Sequence, residues 1–297
     1  MPHTVNEPGL GTDPGSLIAQ SEAASAGIRP GAEKQIVWAH GDHRRTALSI
    51  VYVHGFSASA GEIRPVPDRI AEKMAANLFY TRLAGHGMDG QALARASLAD
   101  WQDDLRQAIK IGAMLGERII LIGTSTGGAL VTWALAQPSL ARNVAAAVLL
   151  SPNYRLKAAG AFLLEAPFAR QMVHLALGRT RHAEAATDLQ RRIWTAHYPT
   201  DALLPMAQTV RLARRTKVEA IRTPALFLYS PADRIVDPER TLQVARRWGG
   251  PHQEMALART GDPNNHVLAG DAYSPDTSDL LVTEISTWLI RTACPNS

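Results

Sequence analysis

The stretch Ile119-Ile-Leu-Ile-Gly-Thr-Ser125-Thr-Gly-Gly128 decides the fold, because an apolar run ends in it and leads directly into Ala129-Leu-Val-Thr-Trp-Ala-Leu135. This order predicts a buried strand, a sharp turn and a helix. A serine at such a turn is forced into a strained backbone conformation, and Gly123 and Gly127 supply the small neighbours that it needs. The turn therefore presents the Ser125 hydroxyl beside a helix N-terminus, where free backbone N–H groups favour negative charge.

Length and composition restrict the class of protein. The chain has 297 residues, of which 46% are hydrophobic. This is enough to bury about three quarters of the unfolded surface, in one large α/β domain or two small ones. The net charge of +4 comes from scattered arginines, without a basic run of the kind that binds nucleic acid. We therefore expect no nucleic-acid partner.

Other sequence features bear on compartment and cofactors. The one cysteine, Cys294, excludes an intramolecular disulfide and fits a reducing compartment. The first ten residues have neither a basic start nor an apolar stretch, and nowhere do about 18 apolar residues follow one another. No Cys/His cluster or carboxylate set suggests a metal site. We expect a soluble, cytoplasmic protein without stable membrane insertion and without a cofactor; the sequence leaves its oligomeric state open.

Strand-like and helix-like segments alternate along most of the chain. Residues 48–53 and 144–150 are apolar runs of the type that parallel sheets bury. Residues 61–76 have helical spacing, and Ser97 opens another helix with a capping-box pattern to Asp100. This alternation predicts an α/β fold with a mainly parallel central sheet and helices on both faces. Further strands are predicted at 35–39, 77–83, 118–123, 223–229 and 253–258, and further helices at 238–248 and 279–290.

Composition changes at two places along the chain. Residues 1–33 are rich in Gly, Pro, Ala and Ser and are predicted to form an N-terminal arm that is loosely ordered or lies over the domain, with a helical turn hinted only at 16–21. The α/β core is assigned to residues 34–151 and 218–297. Residues 152–217 break the alternation and are interpreted as an inserted helical cap, because they are too short and too often interrupted by proline for a second domain.

The predicted cap is apolar and basic. From residue 151 to 217 it carries eleven Lys and Arg against four Asp and Glu. A helical insertion must bury its own apolar face on the body of the protein, but some of its large side chains should also cover a binding pocket. The arginine surplus is more typical of a solvated face than of a binding site for an acidic substrate or membrane surface.

Two further loops carry the partners that a nucleophilic serine needs. A serine hydroxyl requires a base within hydrogen-bonding reach, usually a histidine, and that histidine requires a carboxylate to fix its tautomer. In parallel sheets such residues lie on loops after the carboxyl ends of strands. Asp233 follows the predicted strand at 223–229, and His266 follows the predicted strand at 253–258. The candidate set in chain order is therefore Ser125, Asp233 and His266.

On these residues the sequence resembles the α/β-hydrolases, and among them the capped carboxylesterases and monoacylglycerol-lipase-like serine hydrolases. The resemblance covers roughly residues 35–290. It implies that Ser125 is the nucleophile, that His266 is general base and then general acid, and that Asp233 orients His266. Besides the loops of Asp233 and His266, the matching pieces are Val53-His-Gly-Phe56, Arg82-Leu-Ala-Gly-His-Gly87, Trp101 with Asp104, and Gly123-Thr-Ser-Thr-Gly-Gly128.

The resemblance also implies how the oxyanion of an acyl-transfer intermediate is bound. It assigns two donors, the backbone N–H groups of Phe56 and Thr126. The chain has the simple His-Gly-aromatic form of the donor loop and lacks the longer glycine run of another lipase branch. Thr124 and Thr126 flank the serine where family members often carry other residues, and the sequence does not explain this departure.

Other carboxylates compete with Asp233 for the acid role. Asp237-Pro-Glu239 has the pattern of an N-cap followed by proline at the first helical position, so Asp237 is explained structurally and Asp233 is favoured. Asp262 is interpreted as a turn residue, and Glu62 as the beginning of a helix.

Other histidines compete with His266 for the role of base. His54 and His86 lie in glycine turns, and chain order gives neither of them a carboxylate partner. We interpret both as structural hydrogen-bonding residues. The corresponding structural alternative for His266 is an ordinary loop histidine.

The leading prediction is a serine carboxylic ester hydrolase that acts on hydrophobic esters through an acyl-enzyme, as an esterase or a monoacylglycerol-lipase-like enzyme. Its expected partner is a small-molecule ester. Because one fold hosts many chemistries, the same site could serve a thioesterase, C–C hydrolase, perhydrolase or acyltransferase. A non-catalytic binding protein of the same fold is the remaining alternative, and the complete set of serine, acid and histidine argues against it.

Overall fold

The computed structural model describes residues 13–23, 25–183 and 185–293. The strands found in them are β1 (Gln35–Val37), β2 (Thr46–Val53), β3 (Asn77–Tyr80), β4 (Gly116–Thr124), β5 (Val144–Leu150), β6 (Thr180–His182), β7 (His197–Pro199), β8 (Ala225–Tyr229) and β9 (His252–Ala256). Seven of these form one sheet in the order β1-β3-β2-β4-β5-β8-β9. All neighbours in it are parallel except β1 and β3, which pair antiparallel at the edge. The predicted mainly parallel sheet is confirmed.

Helices cover both faces of this sheet. The α-helices of the described residues are α1 (Pro14–Ala23), α2 (Val66–Lys73), α3 (Gly90–Arg95), α4 (Leu98–Leu115), α5 (Thr126–Leu135), α6 (Pro138–Ala141), α7 (Ala169–Leu177), α8 (Asp188–Ile193), α9 (Leu203–Arg215), α10 (Pro238–Arg246) and α11 (Ser278–Ala293). Short 3₁₀ helices cover Ala60–Ile63, Ala161–Glu165, Thr200–Ala202, Val218–Ala220 and Pro275–Thr277. One core cluster combines the sheet with α4, α5, α9 and α10, and the other combines it with α2 and α11.

Strand β2 shows how one run of residues serves both clusters. Successive side chains of a strand point to opposite faces of the sheet. Val51 and Val53 accordingly belong to the cluster with α4 and α5, while Ile50 and Tyr52 belong to the cluster with α2 and α11. All four are fully buried. A strand buried on both faces needs an apolar run without alternation, which is the pattern in the sequence.

The helix predicted over residues 61–76 is wrong in its bounds, because α2 covers only Val66–Lys73. The chain forms the 3₁₀ helix Ala60–Ile63, and α2 begins only at Val66. Between them Arg64 is extended, with φ −62° and ψ 142°. The ring of Pro65 disfavours a helical conformation at the preceding residue, so the two helical segments cannot join. This break leaves Glu62 in the short 3₁₀ helix, outside α2.

The capping box predicted for α4 is confirmed. The Ser97 hydroxyl accepts a hydrogen bond from the Asp100 N–H at 3.2 Å, and the Asp100 carboxylate accepts one from the Ser97 N–H at 2.8 Å. These two bonds satisfy donors that a helix N-terminus otherwise leaves free. Helix α4 then buries Trp101 and Leu105 against the sheet.

Residues 152–217, between β5 and β8, contain two parts that pack differently. Helix α9 lies against α5 and contributes Met206 and Val210 to the core. Helix α7 buries Val173 alone among its residues. The segment also contains an antiparallel ribbon of β6 and β7, which the sequence analysis missed because each strand is only three residues long.

The N-terminal region contains a longer helix than the predicted turn at 16–21, because α1 spans ten residues. Leu17 and Ile18 pack on the core, and Glu22 at the end of α1 accepts a hydrogen bond from Arg82 at 2.9 Å. Lys34 pairs with Asp104 at 3.2 Å just after this region. Residues 1–12 and Cys294, for which the sequence analysis also made predictions, lie outside the described residues.

Candidate active site

Ser125 lies at the turn between β4 and α5 in a conformation that few residues adopt. Its φ is 51° and its ψ is −116°, which costs on the order of 1–3 kcal/mol. Two glycines make the turn possible. A Cβ on Gly127 would lie 2.2 Å from the carbonyl oxygen of Val53, and a Cβ on Gly123 would lie 2.8 Å from the Cα of Gly128. The glycines required by the sequence pattern are therefore required by backbone packing.

His266 and Asp233 lie beside Ser125. The Ser125 Oγ is 2.9 Å from His266 Nε2, and His266 Nδ1 is 2.8 Å from Asp233 Oδ2. A carboxylate only accepts hydrogen bonds, so Nδ1 carries the proton and Nε2 is free to accept from the serine hydroxyl. The other oxygen of Asp233 accepts from the N–H groups of Ile235 and Val236 at 2.7 and 3.0 Å. The three candidates that the sequence separates by up to 141 residues thus form one hydrogen-bonded chain.

The surroundings of His266 favour its protonated form. Burial by itself lowers the pKa of His266. The hydrogen bond and charge of Asp233 raise it, as do the charges of Glu62 and Asp262, and the net pKa lies above the ordinary value. A histidine that takes a proton from serine becomes an imidazolium, so these charges stabilise the species that proton transfer creates.

Asp237 and Asp233 occupy the same loop but make different contacts. Asp237 accepts a hydrogen bond from the Glu239 N–H at 3.1 Å at the beginning of α10. Its other oxygen pairs with Arg155 at 2.8 Å. These contacts explain Asp237 as a helix cap, and His266 is bonded to Asp233 instead.

Asp262 holds the loop that carries His266. Its carboxylate accepts hydrogen bonds from the N–H groups of Asn264, His266 and Val267 at 3.0, 2.9 and 2.9 Å. The residue is 4% exposed. It is therefore a turn residue, as interpreted from the sequence, and its charge additionally faces His266.

His54 and His86 are buried hydrogen-bonding residues. His54 Nε2 accepts from the Leu83 N–H at 3.1 Å, so its Nδ1 donates to the Gly55 carbonyl at 2.8 Å. Burial lowers the pKa of His54 to about 4. Burial and the neighbouring His54 also lower the pKa of His86, whose Nδ1 lies 3.2 Å from the Ala84 carbonyl. Both rings are neutral and belong to the scaffold of the loops after β2 and β3.

Glu62 is a site residue that the sequence analysis missed. It is 3% exposed, and its Oε2 accepts hydrogen bonds from the Gly55 N–H and the Tyr52 hydroxyl, both at 2.7 Å. The Tyr52 oxygen in turn lies 3.1 Å from the hydroxyl of Thr124, the residue before Ser125. Burial raises the pKa of Glu62. The Glu62 carboxylate thus connects the loop after β2 with the end of β4. This connection gives the Thr124 hydroxyl a structural role, because it is the contact that Tyr52 makes on β4.

The sequence contains one indication that Glu62 lies outside a regular helix, which is Pro65, three residues after it. Pro65 ends the helical conformation, so an acidic residue before it need not belong to a solvated helix. The contact with Gly55 is so close that a Cβ on Gly55 would lie 2.7 Å from Glu62 Oε1. Glycine at this position is therefore needed for the carboxylate to reach the loop.

The backbone N–H groups of Phe56 and Thr126 border the same space as Ser125. Neither N–H has an acceptor among the described residues. Thr126 is the first residue of α5, where a helix leaves its N–H groups free. Phe56 directly follows Gly55, which Glu62 fixes. Both residues line the cavity that contains Ser125 and His266.

Two cavities adjoin at this position. The reaction cavity, of about 260 Å³, contains Ser125 and His266 and has the polar neighbours Glu62, Asn153 and Asp262. The apolar cavity, of about 270 Å³, lies beneath α7 and the 3₁₀ helix Ala161–Glu165. Four residues line both cavities: Phe56, Leu156, Tyr198 and Met206. The apolar cavity is further lined by Leu163, Leu164, Val173, Ala176 and Leu177, among others.

The described residues offer neither a metal site nor a membrane-spanning helix. These residues contain no group of three or more His, Cys, Asp or Glu that could hold a metal ion. None of the helices described is both long enough and apolar enough to cross a bilayer.

A family model matches most of the chain. The model described as Hydrolase_4, serine aminopeptidase, S33, matches residues 44–261. This range contains Ser125 and Asp233 and ends before His266, so the family match does not extend to His266. No match was found among curated proteins.

Solved structures with a similar fold include lipolytic enzymes. A structure from the work on the metagenome-derived lipolytic enzymes LipS and LipT is 18% identical, with a TM-score of 0.70, and covers 89% of this chain and 99% of its own. The monoacylglycerol lipase of Paleococcus ferrophilus is 15% identical, with a TM-score of 0.61 and coverages of 87% and 98%. A soluble variant of the monoglyceride lipase of Saccharomyces cerevisiae is 11% identical, with a TM-score of 0.63 and coverages of 88% and 92%. At these identities the likeness establishes the fold.

Proposed function

The chain belongs to the α/β-hydrolase superfamily and, within it, to the family described as serine aminopeptidase, S33, and from this premise we propose that it is a serine carboxylic ester hydrolase. The observation that carries the proposal is the chain of hydrogen bonds from Ser125 through His266 to Asp233. A serine hydroxyl needs this support to act as a nucleophile at neutral pH. The two free N–H groups beside it supply the second requirement of acyl transfer, which is stabilisation of an oxyanion.

The proposed reaction has two halves. Ser125 Oγ attacks the ester carbonyl while His266 Nε2 takes the hydroxyl proton, and Asp233 stabilises the resulting imidazolium. The tetrahedral intermediate collapses to an acyl-enzyme when the alcohol leaves with the proton from His266. Water then attacks the acyl carbon, with His266 accepting its proton, and Ser125 leaves with that proton while the carboxylic acid is released.

The oxyanion donors in this proposal are the N–H groups of Phe56 and Thr126. They come from two different strand ends, so their spacing depends on how these ends are held together. Glu62 supplies such a connection, because its carboxylate binds the Gly55 N–H and reaches Thr124 through Tyr52. We assign Glu62 a positioning role, since single oxyanion donors contribute about 3 kcal/mol and their geometry decides that contribution.

The acyl group in this proposal occupies the apolar cavity. That cavity adjoins the reaction cavity through Phe56, Leu156, Tyr198 and Met206, and its lining is almost entirely apolar. Residues 152–217 provide most of its walls and therefore act as the cap of the proposed enzyme. Burial of a hydrocarbon chain there contributes about 0.8 kcal/mol per methylene group, which favours hydrophobic acyl groups.

The proposal is tested with p-nitrophenyl esters of graded chain length and with a fluorophosphonate probe. The wild-type protein is expected to hydrolyse the esters and to be labelled on Ser125, as located by peptide mass spectrometry. Ser125→Ala is expected to lower kcat by about 10⁴- to 10⁶-fold while circular dichroism shows an unchanged fold. Near-wild-type turnover by Ser125→Ala, or labelling of another residue, would show that the proposal is wrong.

A second candidate, an aminopeptidase, follows from the description of the family and from one observation. Glu62 brings a carboxylate to the reaction cavity, and a carboxylate there could bind the ammonium group of a peptide N-terminus. The same Oε2 of Glu62 is already bonded to Gly55 and Tyr52, which favours the ester hydrolase. Aminoacyl p-nitroanilides distinguish the two, because only the aminopeptidase is expected to cleave them at a rate that Glu62→Gln strongly reduces.

A further inference from the structure

Two buried polar atoms beside Ser125 have no hydrogen-bond partner among the described residues. They are Asn153 Oδ1 and Thr126 Oγ1, whose residues are 2% and 1% exposed. Eight other buried side-chain atoms of the described residues also lack a partner, but none of them belongs to a residue that lines the reaction cavity. Asn153 and Thr126 both line that cavity. The two residues that carry these partnerless atoms therefore line the cavity of the candidate nucleophile.

The fold by itself does not explain the side chain of Asn153. Its Nδ2 reaches only the sulfur of Met206, at 3.7 Å, and thioether sulfur is a weak acceptor. Its backbone N–H donates to the Ser125 carbonyl at 2.9 Å, which any residue could do. Since an unpaired buried amide oxygen costs free energy, leucine would fill the same volume without that cost.

We propose that Asn153 and Thr126 bind a hydroxyl group that the substrate carries close to its scissile carbonyl. The inference rests on the proposed ester hydrolase function and specifies its substrate class. A hydroxyl donates one hydrogen bond and accepts others, and it meets an acceptor in Asn153 Oδ1 and a donor in the Thr126 hydroxyl. A plain hydrocarbon ester leaves both atoms unpaired, so the site discriminates against it.

The position of Thr126 locates this hydroxyl along the substrate. Thr126 follows Ser125 directly and supplies one of the proposed oxyanion donors, so its side chain lies near the carbonyl under attack. The substrate hydroxyl therefore lies within a few bonds of that carbonyl. It belongs either to the acyl part, as in a β-hydroxyacyl ester, or to the alcohol part, as in a glycerol monoester.

Matched pairs of esters test the inference and separate these two sources. Ethyl β-hydroxyhexanoate is compared with ethyl hexanoate, and monohexanoylglycerol is compared with propyl hexanoate. For the wild-type protein we expect kcat/KM to be about 10- to 100-fold higher for the hydroxylated member of one pair. The pair that shows the preference identifies the part of the substrate that carries the hydroxyl.

Three variants connect this preference to the two residues. Asn153→Leu and Thr126→Val keep the side-chain shapes and are each expected to reduce the preference by about 10-fold or more. Asn153→Leu is also expected to keep or raise Tm, because it removes an unpaired buried polar group. Thr241→Val is the matched control: Thr241 Oγ1 is likewise buried and has no partner in the described part of the chain, but Thr241 lies on α10 and does not line the reaction cavity. This control is expected to leave the preference unchanged.

The outcomes distinguish this inference from the proposed function. If plain esters are hydrolysed in a Ser125-dependent manner but the wild type shows no preference in either pair, the inference alone is overturned. It is also overturned if a preference exists and both Asn153→Leu and Thr126→Val retain it. If no ester is hydrolysed, or if hydrolysis does not depend on Ser125, the proposed function fails and the inference with it.

Discussion

Helices α5 and α7 border the two ends of the proposed substrate site, and they differ in how they are held. All ten residues of α5 are buried, whereas α7 buries Val173 only. Five large apolar side chains of residues 162–177 are exposed: Phe162, Phe168, Met172, Leu175 and Leu177. Close packing resists displacement, because a core side chain cannot move without losing contacts on several sides. We therefore expect the reaction centre to be held more firmly than the wall of the apolar cavity that α7 provides.

We expect the largest effect on kcat from one of two aspartates that lie on the same loop, Asp233 and Asp237. Asp233→Asn is expected to lower kcat by about 10⁴-fold, because an amide no longer fixes the histidine tautomer or stabilises the imidazolium. Asp237→Asn is the matched control and is expected to keep nearly full activity, since asparagine also caps a helix and Asp237 makes no contact with His266. Steady-state kinetics of the two variants checks this. A larger loss from Asp237→Asn than from Asp233→Asn would reverse our assignment.

The contrast between α5 and α7 is tested directly by two truncations of leucine. Leu130→Ala, in α5, is expected to lower the free energy of unfolding by about 2–5 kcal/mol, because Leu130 is fully buried and its removal leaves a cavity. Leu175→Ala, in α7, is expected to change it by less than about 0.5 kcal/mol, because Leu175 is 87% exposed. Urea denaturation measures both. Similar losses in the two variants would show that α7 is packed as firmly as α5.

A smaller effect is expected at the connection that Glu62 makes. Glu62→Met is expected to lower kcat by about 10²-fold with little change in KM, because the Gly55 N–H loses its acceptor and the neighbouring Phe56 donor loses its position. Glu72→Met replaces an exposed glutamate of α2 and serves as the control, with unchanged kinetics. The positioning role is contradicted if Glu62→Met raises KM alone, since that would indicate a substrate-binding residue.

The smallest effect concerns the pH dependence. His266 must be neutral to accept the proton of Ser125, so kcat/KM is expected to rise with pH through the pKa of His266. Because Asp233, Glu62 and Asp262 raise that pKa, the rising part of the profile should lie above about pH 6.5. Glu62→Gln keeps an acceptor for Gly55 but removes one negative charge, which destabilises the imidazolium and should move the profile to lower pH. A shift to higher pH would contradict this sign.

The sequence indicated the Ser125, Asp233 and His266 set because local rules apply to each member. The glycines around Ser125 are needed within two residues of it, and both other residues follow strands of one parallel sheet. Parallel strands end at the same edge, so residues that are distant in sequence meet there. The mainly parallel sheet and the family were confirmed, and the catalytic roles remain proposals that the variants above test.

The sequence analysis missed Glu62 and Asn153 because their roles depend on contacts between separate strand ends. Glu62 has the local appearance of a helix start, and only its bonds to Gly55 and Tyr52 place it in the site. Asn153 follows β5 and belongs to no sequence motif. It stands out because its Oδ1 has no hydrogen-bond partner among the described residues, and a sequence does not show this. The sequence also did not separate two parts of residues 152–217. Helices α9 and α7 are similar in composition, but α9 is packed on the core and α7 is mostly exposed.

The sequence by itself determined the strand–turn–helix at Ser125, the alternating architecture and the loops that bear Asp233 and His266. These features follow from hydrophobic periodicity and from the backbone conformations that glycine and proline allow, and both act over a few residues. Only the tertiary structure decided which carboxylate reaches His266, that Glu62 joins two strand ends, and which polar atoms stay unpaired beside Ser125. These depend on differences of a few tenths of an ångström in the distances between elements far apart in the chain, because a hydrogen bond forms or is lost over such a difference.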